Sequence, residues 1–242
     1  MAAFLALEAH FNNSMRDAAA EECSTLSRAV MASSLGGIHG MAQAQNELAQ
    51  QMVNIALEVA QSVQDELGAV SFSPDQKAEW RAINQFTKDA APLQLPKMLV
   101  GKTWLGQNKN MQAPTPVVDR VRKLTNQTCT IFQRMNDAGD MLRVATNVEK
   151  LDNSRAIGTY IPAVNPNGKP NAVVSTVLAG NTFRGRAFVV NAWYLTAYRP
   201  ILDSSRRVVG VLYVGIRESQ VQAAALKRIE EAKVGVGGAA PP

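Results

Sequence analysis

Between Glu47 and Gly68, apolar side chains recur at Leu48, Met52, Ile55, Val59, Val63 and Leu67. Steps of three and four trace one stripe of an α-helix, and Gly68 is a natural stop. The stretch from Ala2 to Met31 is also helical in composition, while Ser33-Ser34-Leu35-Gly36-Gly37 reads as a break. One long helix broken near 33–37 and a helical hairpin fit this pattern equally well. From Ser71 to Pro116 the periodicity fades and Pro74, Pro92, Pro96, Pro114 and Pro116 intervene. That segment predicts mostly loop, with a short helix over Val117–Leu124.

Strand-like runs follow at Thr128–Arg134, Met141–Val148 and Ala156–Ile161, separated by the turn sequences Asn136-Asp137-Ala138-Gly139 and Asp152-Asn153. After a further turn at Asn165-Pro166-Asn167-Gly168, a short helix spans Asn171–Leu178 and ends at Gly180. Two long strands, Gly185–Pro200 and Val208–Arg217, flank the hairpin connection Asp203-Ser204-Ser205-Arg206. In the second of them Leu212, Val214 and Ile216 share one face, suited to packing on the helical stripe. Val211, Tyr213 and Gly215 share the other, where Tyr213 and open space over Gly215 face a pocket.

The predicted organisation is a long helical segment over 1–70, an α+β domain over 71–217 with an antiparallel sheet of about five strands, a closing helix over 218–233, and a disordered Gly/Ala/Pro tail over 234–242. The first seven residues lack a positive region and a long apolar run, and nowhere do eighteen apolar residues follow one another. The expectation is a chain with no signal peptide or membrane span of its own.

Composition sharpens this picture in one respect. Residues 1–90 carry five Lys/Arg against eleven Asp/Glu, whereas residues 91–242 carry twenty against nine, so a net charge of −6 precedes one of +11. A basic half suggests an anionic partner. Nucleic acid is disfavoured, because the cations are spread among strands rather than clustered. Cys23 and Cys129 are too few for a disulfide framework and lack zinc-site spacing, which leaves a single bridge and two free thiols as alternatives.

Enzymatic chemistry has little to work with. The only histidines, His10 and His39, lie in the helical part. There is no Gly-x-Ser-x-Gly elbow, phosphate loop or dinucleotide fingerprint, so neither enzyme nor cofactor is expected. The strands instead offer Arg134, Arg143, Arg184, Arg186, Arg199 and Arg217, interleaved with Phe132, Tyr160, Trp193, Tyr194, Tyr198 and Tyr213. An arginine on a sheet face costs desolvation unless an anion meets it.

The segments LPKMLVGKTWLGQN, TIFQRMNDAGDMLRVATNV, IGTYIPAVNPNGKPN, FRGRAFVVNAWYLTAYRPILD and VVGVLYVGI resemble the sensor region of bacterial methyl-accepting chemotaxis receptors. The resemblance is to fused Cache sensors, in which a Cache-three-like module leads into a Cache-two module. It covers roughly Ala44 to Lys233. It implies a long N-terminal helix packed on a PAS-like antiparallel sheet, with a ligand pocket on the opposite face. It also implies a place on the extracytoplasmic side of the inner membrane, reached only through segments outside this chain, and a ligand-driven conformational signal rather than catalysis. Where similar receptors continue from a Lys-Val-Gly into a second sheet module, this chain has Lys233-Val234-Gly235 and a short tail, so the second module is expected to be missing.

Amino-acid sensors of this kind commonly place an Asp near the end of the last strand, where this chain has Tyr213-Val214-Gly215-Ile216. A small carboxylate is therefore the expected ligand. Arg134, Arg143 and Arg186 are the candidate carboxylate contacts, with Tyr160, Asn191, Trp193, Tyr194 and Tyr213 shaping and capping the pocket. The alternative is an interaction module that pairs through its long helix into a homodimer and needs no ligand.

Overall fold

The computed structural model describes residues 2–236, with side chains throughout 39–228. It divides into two compact units, Met1–Gln45 with Ala224–Pro242, and Asn46–Ala223. Helix α1 spans Ala2–Leu67 and runs through Ser33–Gly37 without interruption, contrary to the expected break. Extension of a hydrogen-bonded helix is cooperative, and the helix formers on either side offset the roughly 1 kcal/mol that each interior glycine costs. The helix ends where expected, at Gly68, whose φ of 120° few other residues adopt. Its N–H caps the carbonyls of Gln64 and Asp65, both at 3.1 Å.

The unit Asn46–Ala223 is built on one sheet of nine strands rather than about five. In chain order these are β1 Val70–Asn84, β2 Ala90–Val100, β3 Thr103–Trp104, β4 Thr128–Arg134, β5 Met141–Thr146, β6 Thr159–Ile161, β7 Phe183–Val189, β8 Ala192–Leu202 and β9 Val208–Arg217. Their order across the sheet is β3-β2-β1-β6-β5-β4-β9-β8-β7. Helices α2 Val118–Thr125 and α3 Ala172–Leu178 are inserted, and α4 Glu218–Val236 follows β9. Helix α4 therefore extends three residues past Lys233, and the remainder of the expected tail, 237–242, lies outside the described residues. No helix among the described residues is long and apolar enough to cross a membrane.

Two differences raise the strand count. The segment expected to be loop forms the β1–β2 hairpin, paired from Val70↔Val100 to Ile83↔Ala90, with the two-residue β3 beside β2, and β1 joins β6 in the sheet's one parallel contact between named strands. Its prolines are placed where they cost no ladder bond. Pro74 falls in the irregularity between Phe72 and Lys77, and Pro92 and Pro96 lie where β2 has no neighbour beyond it, since β3 pairs only with Leu99 and Val100. The second difference is a hairpin within Gly185–Pro200. Val189 pairs with Ala192 across a two-residue turn at Val190-Asn191, with Val190 held at φ 58°. A turn without glycine carries no sequence signal, and a β-branched residue in that region is strained by about 1–3 kcal/mol.

The central strands β4, β5 and β9 are buried on both faces. On one face Leu212 and Val214 pack with Val53, Ala56, Leu57, Ala60 and Val63 of α1 and with Val118 and Val121 of α2. On the other, Val211 and Tyr213 pack with Phe132, Tyr194, Tyr198 and the valines of α3. The division expected for β9 is thus present. The helical stripe is rotated from the expected one: Val63 is buried and Val59 partly so, but Leu48, Met52, Ile55 and Leu67 face outward, Ile55 with 64% exposure. The stripe buried in the core is instead Val53, Ala56, Leu57, Ala60 and Val63. Cys129 is a free, buried thiol, and the side chain of Cys23 lies outside the described residues.

One ion pair, its arginine buried and its carboxylate partly exposed, fastens α2 and the long connection before it to the sheet. Arg155 is 1% exposed and donates from Nη1 and Nη2 to the two carboxylate oxygens of Asp119, each at 2.8 Å. It also donates to the carbonyls of Asn110, Ala113 and Thr146 at 2.9, 2.8 and 2.9 Å. Removing one partner of such a pair costs about 3–5 kcal/mol. Arg155→Met is accordingly expected to lower the urea-unfolding free energy by that amount, and a loss below 1 kcal/mol would contradict the role given to this pair.

Candidate ligand-binding site

Strand β5 carries Arg143 into the interior on the face opposite α1, where its side chain is fully buried. Nη1 donates to Thr159 Oγ1 at 2.8 Å and Nη2 to Gln85 Oε1 at 3.0 Å. The guanidinium lies 4.9 Å from the centre of the Phe132 ring. Its Nε has no partner, and it meets no carboxylate among the described residues. Burial pulls the Arg143 pKa below the usual arginine value. Desolvating a cation costs several kcal/mol, which two neutral acceptors and a ring face only partly offset.

Aromatic residues surround this charge. The Tyr198 ring centre is 6.2 Å from that of Phe132, 6.0 Å from Phe183 and 4.8 Å from Tyr213. Tyr198 is buried and its hydroxyl has no partner. Thr128 Oγ1 donates to the Gly215 carbonyl at 2.7 Å, so the Tyr213 hydroxyl, 3.2 Å from the same Oγ1, is the donor in that pair. Burial raises the pKa of both Tyr198 and Tyr213, which keeps both phenols protonated. Tyr198 Oη and Arg143 Nε are therefore unused donors in one buried cluster.

Two cavities reach the residues that hold Arg143. One, of about 290 Å³, is walled by Gln85, Tyr198, Phe183, Phe188, Arg186 and Trp193. The other, of about 310 Å³, is walled by Gln85, Thr159, Asn84, Lys88, Lys150 and Asn191. Gln85 belongs to both. Each is about the size of a small-metabolite pocket. No group of acidic, histidine or cysteine side chains able to hold a metal ion occurs among the described residues. Arg143 itself lines neither cavity; they approach it through Gln85, Thr159 and Tyr198, with polar groups and aromatic rings in their walls.

A family model for the Cache 3/Cache 2 fusion domain matches residues 16–240. The chain belongs to this family. Its members are ligand-sensing domains of signal transduction, and the long helix on a largely antiparallel sheet is the α+β layout expected of it. Among solved structures, the sensor domain of E. coli DcuS is similar at 18% identity, over 44% of this chain and 68% of that one, with a TM-score of 0.28. No curated protein matches the chain.

The candidate residues of this Cache domain fall into separate groups. Arg143, Tyr194 and Tyr213 lie in the buried aromatic cluster, Tyr194 accepting from Arg217 Nε at 3.3 Å. Arg186 and Trp193 stand together on the first cavity, the guanidinium stacked 3.9 Å over the indole. Asn191 lines the second cavity with its Oδ1 unpartnered. Arg134 is elsewhere: Nε and Nη2 donate to the carbonyls of Asn136 and Asp137 at 2.9 and 2.7 Å, closing the β4–β5 turn. Tyr160 packs against the core on the α1 side and bonds Asn84 Nδ2 at 3.3 Å. The space over Gly215 is not open, since a Cβ there would collide with the Tyr213 hydroxyl.

Gln85, Thr159, Phe132 and Tyr198 were not among the expected site residues. Gln85 escaped notice because its segment reads as loop, although the alternation of buried Ala78, Trp80 and Ala82 with polar Glu79 and Arg81 marks a strand. The unpaired state of Arg143 makes an energetic prediction. Replacing a buried ion pair by apolar chains of similar volume is often neutral or stabilising by 1–4 kcal/mol, and Arg143 has no ionic partner that its replacement would strand. Arg143→Met is expected to unfold at equal or higher urea concentration than the wild type without ligand, opposite to Arg155→Met, and a destabilisation of both alike would show that Arg143 is already compensated.

Proposed function

We propose that this Cache domain is the extracytoplasmic sensor of a chemotaxis or other signal-transduction receptor and binds a small organic anion at Arg143. The observation that carries the reading is a fully buried guanidinium with an unused Nε and no carboxylate partner, beside the unused Tyr198 hydroxyl. A ligand carboxylate supplies the missing charge, accepting from Arg143 and Tyr198, while the aromatic walls exclude water and strengthen both contacts. Binding acts by favouring one of two conformations, not by covalent chemistry.

The reading is tested by thermal shift and calorimetry with acetate, propionate, lactate, malonate and succinate. At least one is expected to raise the melting temperature in a dose-dependent way. Arg143→Met should abolish the rise, and Tyr198→Phe should weaken binding about 10- to 100-fold, the value of a hydrogen bond to a charged group. Undiminished affinity in both variants would overturn the site.

A second reading, pairing through α1, is supported by the outward-facing Leu48, Met52 and Ile55. Their spacing of four and three is that of a coiled-coil seam, and Met41 continues it upstream in the sequence. Light scattering of the wild type is expected to give a dimer mass and of Met52→Glu with Ile55→Glu a monomer mass. A monomeric wild type would remove this reading.

A further inference from the structure

The junction between β9 and α4 is held from the same hairpin that walls the first cavity. Glu218, the first residue of α4, receives Arg186 Nε at 3.1 and 3.0 Å and Arg186 Nη2 at 3.0 Å. Arg217, the last residue of β9, donates to Tyr194 of β8 at 3.3 Å. Arg186 is at once a wall of the cavity shared with Gln85 and Tyr198 and the anchor of the first turn of α4.

We propose that an anion entering this cavity competes with Glu218 for Arg186 and so loosens the first turn of α4. The inference rests on the anion-binding reading above and applies to a dicarboxylate, one carboxylate taking the Arg143–Tyr198 position while the other meets Arg186 on the cavity that Tyr198 and Arg186 share. The guanidinium stacks 3.9 Å over Trp193, which holds its plane while leaving its N–H edge free for carboxylates. Glu218 occupies the Nε–Nη2 edge. An incoming carboxylate either takes that edge or sits beside Glu218 as a like charge, and both weaken the grip on α4. The pair is solvent-accessible, with side-chain exposures of 52% and 29%, so the exchange needs no opening of the core. Such exposed pairs are weak enough for a small ligand to displace.

Glu218→Gln removes the competitor and keeps the side chain's shape. With malonate and succinate tested one at a time by calorimetry, it is expected to tighten binding about fivefold, the equilibrium factor of an exposed ion pair, while acetate and propionate, which have one carboxylate, should bind with unchanged affinity. Glu79→Gln, a charge removed from an exposed strand position away from this cavity, should leave affinity unchanged. Hydrogen exchange supplies a second readout: in the wild type, amides of residues 219–223 should exchange faster when the dicarboxylate is added, and in Glu218→Gln they should be fast throughout. Binding of malonate or succinate by the wild type with equal affinity in Glu218→Gln, or with unchanged exchange at 219–223, would overturn the competition and leave the anion site standing. Absence of binding by any of the four acids in the wild type, with no shift in its melting temperature, would remove the anion site and the competition together.

Discussion

A sheet whose central strands are covered on both faces must find two kinds of cover, and in this unit the two differ. Against β4, β5, β8 and β9 on one side lies α1, whose Val53, Ala56, Leu57, Ala60 and Val63 fill the layer. The other side has only the short α3 and connecting loops, with Phe132, Tyr194, Tyr198 and Tyr213 supplying most of the bulk. One thick aliphatic layer stabilises the sheet. The thinner aromatic layer leaves room for cavities, and the proposed ligand site lies on that side.

Two arginines on the same framework separate a cation that the fold neutralises from one that we propose a ligand neutralises. Arg155 and Arg143 are both buried to about 1% or less. Arg155 is matched by both oxygens of Asp119 and by backbone carbonyls, so its charge is neutralised within the fold. Arg143 is met only by Thr159, Gln85 and a ring face. Burial alone would rank the two equally. The hydrogen-bond inventory divides them, because a buried charge is tolerated only when something neutralises it.

Much of this was legible in the chain where local signals were strong. The limits of β4 and β9, the turn at Asn136–Gly139, the stop at Gly68 and the two faces of β9 follow from alternation and turn chemistry. The β1–β2 hairpin was hidden by prolines that turn out to sit at a bulge and an unpaired strand edge. The β7–β8 hairpin was hidden because Val190-Asn191 has no turn signature. Arg143 stood out as an arginine in a strand, but Arg134 did so equally, and nothing local told them apart.

The amino-acid sequence by itself determined the α+β class, the order of most elements, the family, and a sheet rich in arginine and tyrosine. These depend on residue type and short-range periodicity, which a linear chain displays. Only the tertiary structure decided which stripe of α1 is buried, that Gln85 reaches across 58 positions to Arg143, and that Arg186 ties the cavity to Glu218. Those outcomes depend on pairing between distant segments, where one register among many satisfies the backbone and fills the core. Whether a buried charge has a partner is a property of that pairing, not of the residue that carries it.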